Sequence, residues 1–203
     1  MGKRGWKKKR TPSPVAMKNR YHGPAPVRTQ VQAFPSIRTD GGHPIPKVVM
    51  SGKAWRRIME VVLGDTGREC GALLIGNILR DGTTGVTVAL VDDAFSDGEY
   101  GSRSEYRFPA ALQAQCLNYV CREYAESKRV IGTIHSHGVH DAFFSSVDYR
   151  MMEAHHSEEV HIVLSPSHRT YVCAFKDREN VFSEADLDMA LADPAFGFGR
   201  NGI

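Results

Sequence analysis

Residues 129–150 change abruptly from apolar to polar sequence, and this change limits how the chain can fold. The apolar run "RVIGTI" has the composition of a buried strand, and it continues directly into "HSHGVHDAFFSSVDYR". His135 and His137 lie two residues apart at the end of this predicted strand, so the pleat directs both imidazoles to the same side of the sheet. Ser145 can cap a new helix whose first turn contains Asp148. The window therefore predicts a site that joins a strand end to a helix start.

Three of these side chains are suited to hold one metal ion. If the helix start folds back over the strand end, the Asp148 carboxylate approaches the imidazoles of His135 and His137. Two neutral nitrogens and one carboxylate form a three-ligand zinc site with an open fourth position, as a catalytic zinc requires. The same residues also have a simpler interpretation, a capped helix N-terminus and two surface histidines. Their joint spacing in one short window favours the metal site.

From residue 47 onward, strand and helix patterns alternate. The predicted strands are "KVVM", "CGALLIGNIL", "VTVALVDD", "EYRF", "RVIGTIHSH", "VHIVL" and "TYVCAF", and the second and third form a hairpin around "DGTTG". Ser51 is the predicted cap of a helix that ends at Gly64. Pro109 opens an amphipathic helix of about twenty residues that ends near Lys128. The alternation predicts an α/β or α+β domain, with a sheet flanked by helices.

Charge divides the chain into two parts. Residues 1–47 contain eleven Lys or Arg and one acidic residue, Asp40, whereas the remainder contains fifteen basic and twenty-two acidic side chains. The first part is also rich in Pro and Gly and lacks apolar periodicity, which is typical of a disordered segment. We predict a disordered basic tail over residues 1–46, a folded domain over 47–180 and a C-terminal extension over 181–203. Nucleic acid is not expected as a partner except through the tail.

Composition also argues against membrane and disulfide-rich classes. No segment approaches the roughly 18 consecutive apolar residues of a membrane helix, and the N-terminus lacks the apolar stretch of a secretory signal. Four cysteines lie within hydrophobic segments without C-x-x-C spacing, which favours reduced and buried thiols: Cys70, Cys116, Cys121 and Cys173. We expect a soluble, cytoplasmic protein without a membrane partner.

The histidine, serine and aspartate motif resembles that of the JAMM (JAB1/MPN/Mov34) metalloproteases, particularly their stand-alone prokaryotic JAB members. "HSHGVHDAFFSSVD" fits His-x-His, seven residues, Ser, two residues and Asp, and the order of elements over most of residues 48–176 also looks like that fold. The resemblance implies a cytidine-deaminase-like, curved mixed sheet and a zinc hydrolase of peptide or isopeptide bonds. It implies that His135, His137 and Asp148 bind one zinc ion per chain and that Ser145 stabilises the oxyanion.

The resemblance also implies a catalytic glutamate upstream of the motif. "ECGALLIG" is similar to the family pattern E-x-x-x-x-L-x-G and assigns the role of general base to Glu69. An alignment on Gly71 would instead put Arg68 in that position, and arginine cannot act as a base at neutral pH. Glu69 could also be an exposed carboxylate that ends a loop. The other acidic candidates are Glu99 and Glu105.

The loop between the histidines and the serine departs from the family at one position. The family often has proline where this chain has Gly138, a difference that would loosen the loop without removing a ligand. His140 and Asp141 are expected to be surface residues, although either could be a ligand in a different register. We assign no role to the remaining histidines, which are His22, His43, His155, His156, His161 and His168.

We therefore predict a zinc-dependent metalloprotease or isopeptidase that acts on a protein or peptide substrate. The tail of a ubiquitin-like protein is one candidate, bound as an added strand beside the site. Two alternatives stay open: a non-catalytic MPN-type interaction module, and a JAB hydrolase of another small amide or of a cell-wall peptide. A nucleobase deaminase is disfavoured because it needs His-x-Glu together with Pro-Cys-x-x-Cys, and the sequence contains no Pro-Cys-x-x-Cys.

Overall fold

The structure, a computed structural model, describes residues 37–38, 44–64, 66–96, 98, 101–102, 106–188 and 199–200. The strands in these ranges are β1 (Ile37–Arg38), β2 (Lys47–Met50), β3 (Gly71–Arg80), β4 (Thr87–Phe95), β5 (Arg129–Ser136), β6 (Glu159–Ser165), β7 (Thr170–Lys176), β8 (Phe182–Glu184), β9 (Asp186–Asp188) and β10 (Gly199–Arg200). The helices are α1 (Gly52–Gly64), α2 (Ala110–Tyr124) and α3 (Ser146–Ala154). The predicted disordered tail lies outside the described residues except at 37–38 and 44–46.

The strands form one mixed sheet in the order β1-β8-β7-β6-β5-β3-β4-β2-β9, with β10 beside β7. The hairpin of β3 and β4 is antiparallel, as its turn signal predicts, and β3 also pairs antiparallel with β5. β5 and β6 are parallel, since the chain crosses through α3 between them. The predicted α+β architecture with a curved mixed sheet is confirmed.

Residues 182–188 join the two ends of this strand order. β8 pairs with β7 and β9 pairs with β2, yet only Ala185 separates β8 from β9. Ala185 N donates to Cys173 O at 3.0 Å, and Asp186 N donates to Pro46 O at 2.9 Å. One residue spans at most about 3.6 Å, whereas neighbouring strands lie about 4.8 Å apart. The sheet therefore curls until its two ends meet.

The two faces of the sheet carry different helices. Along β3, Leu74 packs into the same apolar cluster as Trp55 of α1, whereas the adjacent Leu73 packs into the α2 cluster on the opposite face. Val163 of β6 packs with Met152 of α3, while its neighbours in the strand join the α1 cluster. One face thus carries α1, and the other carries α2 and α3.

Local signals set the helix boundaries. Ser51 Oγ accepts a hydrogen bond of 3.1 Å from a backbone N–H in the first turn of α1, as expected for an N-cap. α2 begins after Pro109 as predicted, but the predicted end near Lys128 was wrong. The helix ends at Tyr124, because Ala125 adopts a left-handed conformation with φ 44°.

Strand pairing extends beyond the domain limits drawn from the sequence. β8, β9 and β10 lie within residues 181–203, and β1 lies within the segment assigned to the tail and pairs with β8. These strands have two or three residues each, too few for an alternating pattern to be recognised. Of the predicted strand "EYRF", the described residues 106–108 contain only a bridge, between Tyr106 and Gly101.

Two expectations from composition can be compared with the described residues. None of the described helices is long and apolar enough to cross a membrane. All four cysteines are free, and Cys70, Cys116 and Cys173 are buried as expected. The expectation was wrong for Cys121, which is exposed because it follows the buried stripe of α2 by one residue and points away from the sheet.

Candidate metal centre and active site

Three ligand-type side chains converge where β5 ends and α3 begins. The Nε2 atoms of His135 and His137 are 3.3 Å apart, and they lie 3.1 and 3.4 Å from the two carboxylate oxygens of Asp148. All three residues are buried, each with 4% of its surface exposed. Within the described part of the chain, they are the one group of His, Cys, Asp or Glu side chains placed to hold a metal ion. We call them the His-His-Asp cluster.

Strand alternation directs both imidazoles to the face that carries α2 and α3. Ile134 packs into the α1 cluster, so the next residue, His135, points to the opposite face. Ser136 points back towards the α1 side, where its hydroxyl accepts a 3.0 Å hydrogen bond from Cys70 N. Its own N–H donates to Cys70 O at 2.8 Å. The serine between the histidines thus ties the end of β5 to the residue that follows Glu69.

A capping box fixes the Asp148 carboxylate at the start of α3. Ser145 Oγ accepts from Asp148 N at 3.2 Å, and Asp148 Oδ2 accepts from Ser145 N at 2.6 Å. The sequence leaves a capped helix start and a metal site as alternatives, whereas the structure places the Asp148 side chain in both. Burial raises the pKa of Asp148, but the contacts of its carboxylate with His135 and His137 outweigh it and hold that pKa below its usual range.

The loop after β5 contacts the His137 imidazole away from the Nε2 atom that faces the cluster. The Nδ1 atom of His137 lies 3.3 Å from the backbone carbonyl of Asp141, a contact that favours a proton on Nδ1 and leaves the Nε2 lone pair towards the cluster. The Phe143 ring packs edge-on against the same imidazole, with 4.8 Å between centroids. The Asp141 side chain is exposed and lies 3.4 Å from His168. Asp141 thus contributes its carbonyl, and its carboxylate stays at the surface as expected.

Gly138 gives this loop a route that proline could not follow. Its φ is +53°, in the left-handed region, whereas the proline ring holds φ near −65°. The expected loosening is offset by two hydrogen bonds: Ser167 Oγ donates to Gly138 O at 3.1 Å, and Ser165 Oγ donates to His140 O at 2.5 Å. The loop over the cluster is therefore anchored to the turn between β6 and β7.

Glu69 lies just before β3, on the same side as the histidines. Gly71 pairs with His135, and the same antiparallel register continued by two residues sets Glu69 opposite His137. Paired residues share a face. Glu69 is buried, with 7% exposed, whereas Arg68 is exposed. Burial raises the pKa of the Glu69 carboxyl, and the two neighbouring histidines offset only part of this rise. The alternative of an exposed loop carboxylate does not hold.

The segment that follows β4 contacts the first residue of β3. The Gly71 carbonyl accepts hydrogen bonds from Ser96 Oγ at 2.7 Å and from the Tyr106 hydroxyl at 3.0 Å. A Cβ atom at Gly71 would lie 2.5 Å from the Tyr106 ring, so only glycine fits this position. The rival acidic candidates Glu99 and Glu105 belong to this segment but lie outside the described residues.

A second polar group lies beside the cluster, and sequence reasoning assigned it no role. His155 Nδ1 is 3.1 Å from Glu159 Oε2, and His161 Nδ1 is 3.0 Å from the Thr133 hydroxyl. Burial lowers the pKa of His161 well below its usual range, so its imidazole is neutral. A cavity of about 10 Å³, enough for one water molecule, separates this group from the His-His-Asp cluster. The spacing "HHSEEVH" is its only signal in the sequence, and His155 lies at the end of α3.

Lys176 holds the other end of α3. Its Nζ donates to the carbonyls of Met152, Glu153 and His155 at 2.9, 3.0 and 2.7 Å, and the residue is only 1% exposed. A cation at these carbonyls stabilises a helix C-terminus. Sequence reasoning missed this contact because a lysine within an apolar strand gives no hint of a distant helix end. The helix that carries Asp148 is thus fixed at both ends.

Comparisons with known proteins identify the family. A family model described as prokaryotic homologs of the JAB domain matches residues 51–178. Among solved structures, the chain is similar to a protein from Desulfitobacterium hafniense determined in solution. The identity is 16% and the TM-score 0.49, over 70% of this chain and 91% of that one. A search among curated proteins found no match. Because the family match spans more than half of the sequence, this chain belongs to the prokaryotic JAB domain family.

Proposed function

We propose that the chain is a JAMM-type zinc metallopeptidase that hydrolyses peptide or isopeptide bonds, with one zinc ion per chain. The observation that carries this proposal is the convergence of His135, His137 and Asp148 in a JAB-family chain. The substrate is a protein or peptide, and the tail of a ubiquitin-like protein is the first candidate to test. The cytoplasmic location expected from the sequence stays a prediction.

The donor set fits a zinc ion. The acceptor atoms of the cluster lie 3.1 to 3.4 Å apart, and such close buried acceptors repel one another unless a proton or cation lies among them. Two imidazole nitrogens and a carboxylate are ligands that zinc prefers, and three protein ligands leave one position open for substrate or water. The Asp141 carbonyl behind His137 is the kind of outer partner that orients a metal-binding imidazole.

The chain's own residues would share the remaining chemistry. Zinc, when bound, supplies a Lewis acid that polarises the scissile carbonyl and lowers the pKa of water. Glu69 would take the proton of the attacking water and pass it to the departing amine, a task that a raised carboxyl pKa favours. Ser145 Oγ accepts from Asp148 N, so its own proton is free for the developing oxyanion. One such donor contributes about 3 kcal/mol.

Zinc content and peptide cleavage test the proposal together. We expect about one zinc ion per chain by mass spectrometry of the metal-loaded protein, and cleavage of a quenched peptide library or an isopeptide-linked ubiquitin-like substrate. Glu69→Gln should keep the zinc and lose cleavage, because only the base is removed. Asp148→Asn should lose the zinc while the zinc-free protein stays folded, since the amide oxygen of asparagine can still accept the capping-box hydrogen bond from Ser145 N.

Glu60→Gln is the matched control, because Glu60 is an exposed carboxylate on α1, on the opposite face of the sheet. It should leave zinc content and cleavage unchanged. Full cleavage by Glu69→Gln would reject the assigned base. A wild-type chain that takes up no zinc would reject the hydrolase and favour the non-catalytic interaction module.

A further inference from the structure

We propose that a cleft beside the His-His-Asp cluster binds an acidic side chain of the substrate. The cleft has a volume of about 410 Å³. Its walls, which define what we call the arginine cleft, are formed by Arg107 and Phe108 on one side and by Val147, Arg150, Met151 and Ala154 on the other. This inference rests on the proposed function and specifies the substrate class of that same site.

The arginine cleft adjoins the candidate active site. Phe108, Met151 and His155 line both the arginine cleft and the small cavity whose wall includes His135 and Asp148. One wall of the cleft is also α3 itself, the helix whose first turn carries Asp148. A peptide that crosses the cluster would therefore have a neighbouring residue within reach of the cleft.

One face of α3 supplies both apolar and charged groups. Val147, Arg150, Met151 and Ala154 follow the spacing of residues that lie on the same side of a helix. Phe108, which is 9% exposed, packs at the opposite wall. The cleft thus offers apolar surface with a charged group at its rim, a combination that suits a peptide side chain better than a hydrated phosphate backbone.

The positive charge of the arginine cleft favours a negatively charged ligand. Arg107 and Arg150 are both exposed. Arg150 Nε donates to the carbonyl of Ser146 in its own helix at 3.2 Å, and no carboxylate among the described residues forms an ion pair with Arg150. A guanidinium prefers a carboxylate that can accept two parallel hydrogen bonds. The chain's own basic tail would be repelled, so the fitting occupant is an Asp or Glu next to an apolar residue.

A charge-swap experiment tests this assignment. The probes are internally quenched peptides that differ only in Glu, Gln or Lys at one position, scanned along both sides of the scissile bond. We expect the wild-type protein to cleave a Glu peptide about tenfold more efficiently, as kcat/KM, than its Lys counterpart at one position. Arg150→Gln should remove most of this preference, and Arg150→Glu should reverse it. The preference should also shrink as salt is added.

Arg56→Glu is the matched control. Arg56 is an exposed arginine of α1 whose Nε also donates to a carbonyl four residues earlier in its helix, at 3.2 Å. It should keep the preference for Glu. An unchanged preference in Arg150→Glu would overturn the inference, and so would tighter, Arg150-dependent binding of a single-stranded oligonucleotide than of the Glu peptide.

Failure of the proposed function has a different signature. Binding of fluorescein-labelled Glu and Lys peptides to the zinc-loaded protein, measured by anisotropy, does not require cleavage. Absent cleavage together with Arg150-dependent binding of the Glu peptide supports the cleft and rejects the peptidase. Cleavage without any charge preference supports the peptidase and rejects the cleft.

Discussion

Asp148 connects a helix terminus with two imidazoles at the scale of a single residue. Its Oδ2 accepts from Ser145 N at 2.6 Å and lies 3.4 Å from His137, while Oδ1 lies 3.1 Å from His135. A carboxylate can accept several hydrogen bonds at once, so capping does not exclude metal binding. The same residue therefore orders the start of α3 and completes the His-His-Asp cluster.

Glu69 illustrates the cost in stability of a buried carboxylate. Burial raises its pKa in the folded chain, so the folded state favours the protonated form, and stability is lost as pH rises through that raised pKa. We predict that Glu69→Gln raises the melting temperature of the zinc-free protein at pH 7. The difference should shrink as pH falls below the ordinary value of 4.5, where the wild-type carboxyl is protonated in both states.

Thermal melts of the zinc-free wild type and variant between pH 4 and 8 measure this effect. The exposed Glu60→Gln should show no such pH-dependent gain. A lower melting temperature for Glu69→Gln at pH 7 would show that the ionised carboxylate stabilises the fold.

Among the secondary-structure elements, α3 is stabilised mainly by contacts at its two ends. It has nine residues, with a capping box at its start and the Lys176 ammonium at its final carbonyls. A helix this short is marginal alone, so its position depends on these contacts and on packing against β6 and β7. Any shift of α3 moves Asp148 away from the two histidines.

We predict that Lys176→Met lowers the free energy of unfolding by about 3 kcal/mol, because it leaves three carbonyls at the C-terminal end of α3 without their ammonium donor. Zinc affinity should fall as well, since α3 is no longer fixed. Urea denaturation and zinc competition with a chelating dye measure the two effects. Lys47→Met, at an exposed position of β2, is the control. If Lys176→Met is destabilised but keeps its zinc affinity, the contact at the end of α3 does not support the metal site.

At the scale of the whole molecule, the fold depends on residues beyond the family match. That match ends at residue 178, whereas Phe182, Ala185 and Leu187 are buried and belong to the segment that joins β7 to β2. Removal of this segment exposes the apolar surfaces that these side chains cover on both faces of the sheet.

We predict that a chain truncated after residue 180 loses about 3 to 6 kcal/mol of unfolding free energy, from the burial of one phenylalanine and one leucine alone. A chain truncated after residue 188 keeps the closing segment although it lacks β10, so it should lose much less stability than the chain truncated after residue 180. Urea denaturation compares the three proteins. If the chain truncated after residue 180 were as stable as the full chain, the closing role of residues 182–188 would be contradicted.

The sequence predicted most of the fold because its signals are local. "RVIGTI" and "VHIVL" are apolar runs, and Ser51, Pro109 and Ser145 are helix-start residues whose effect does not depend on distant contacts. The ligand group could also be predicted, because a two-residue spacing on a strand fixes a shared side. β8, β9 and the Lys176 contact could not be predicted, because they are short or depend on residues far apart in sequence.

The joining of β7 to β2 through Ala185 also matters for partly folded states of the chain. A state in which residues 182–188 have not yet paired leaves backbone groups of β7 and β2 without these neighbours at the two borders of the sheet. Such borders are templates for association with other chains, and pairing or covering them removes the hazard. β8 and β9 thus protect the partly folded chain against aggregation.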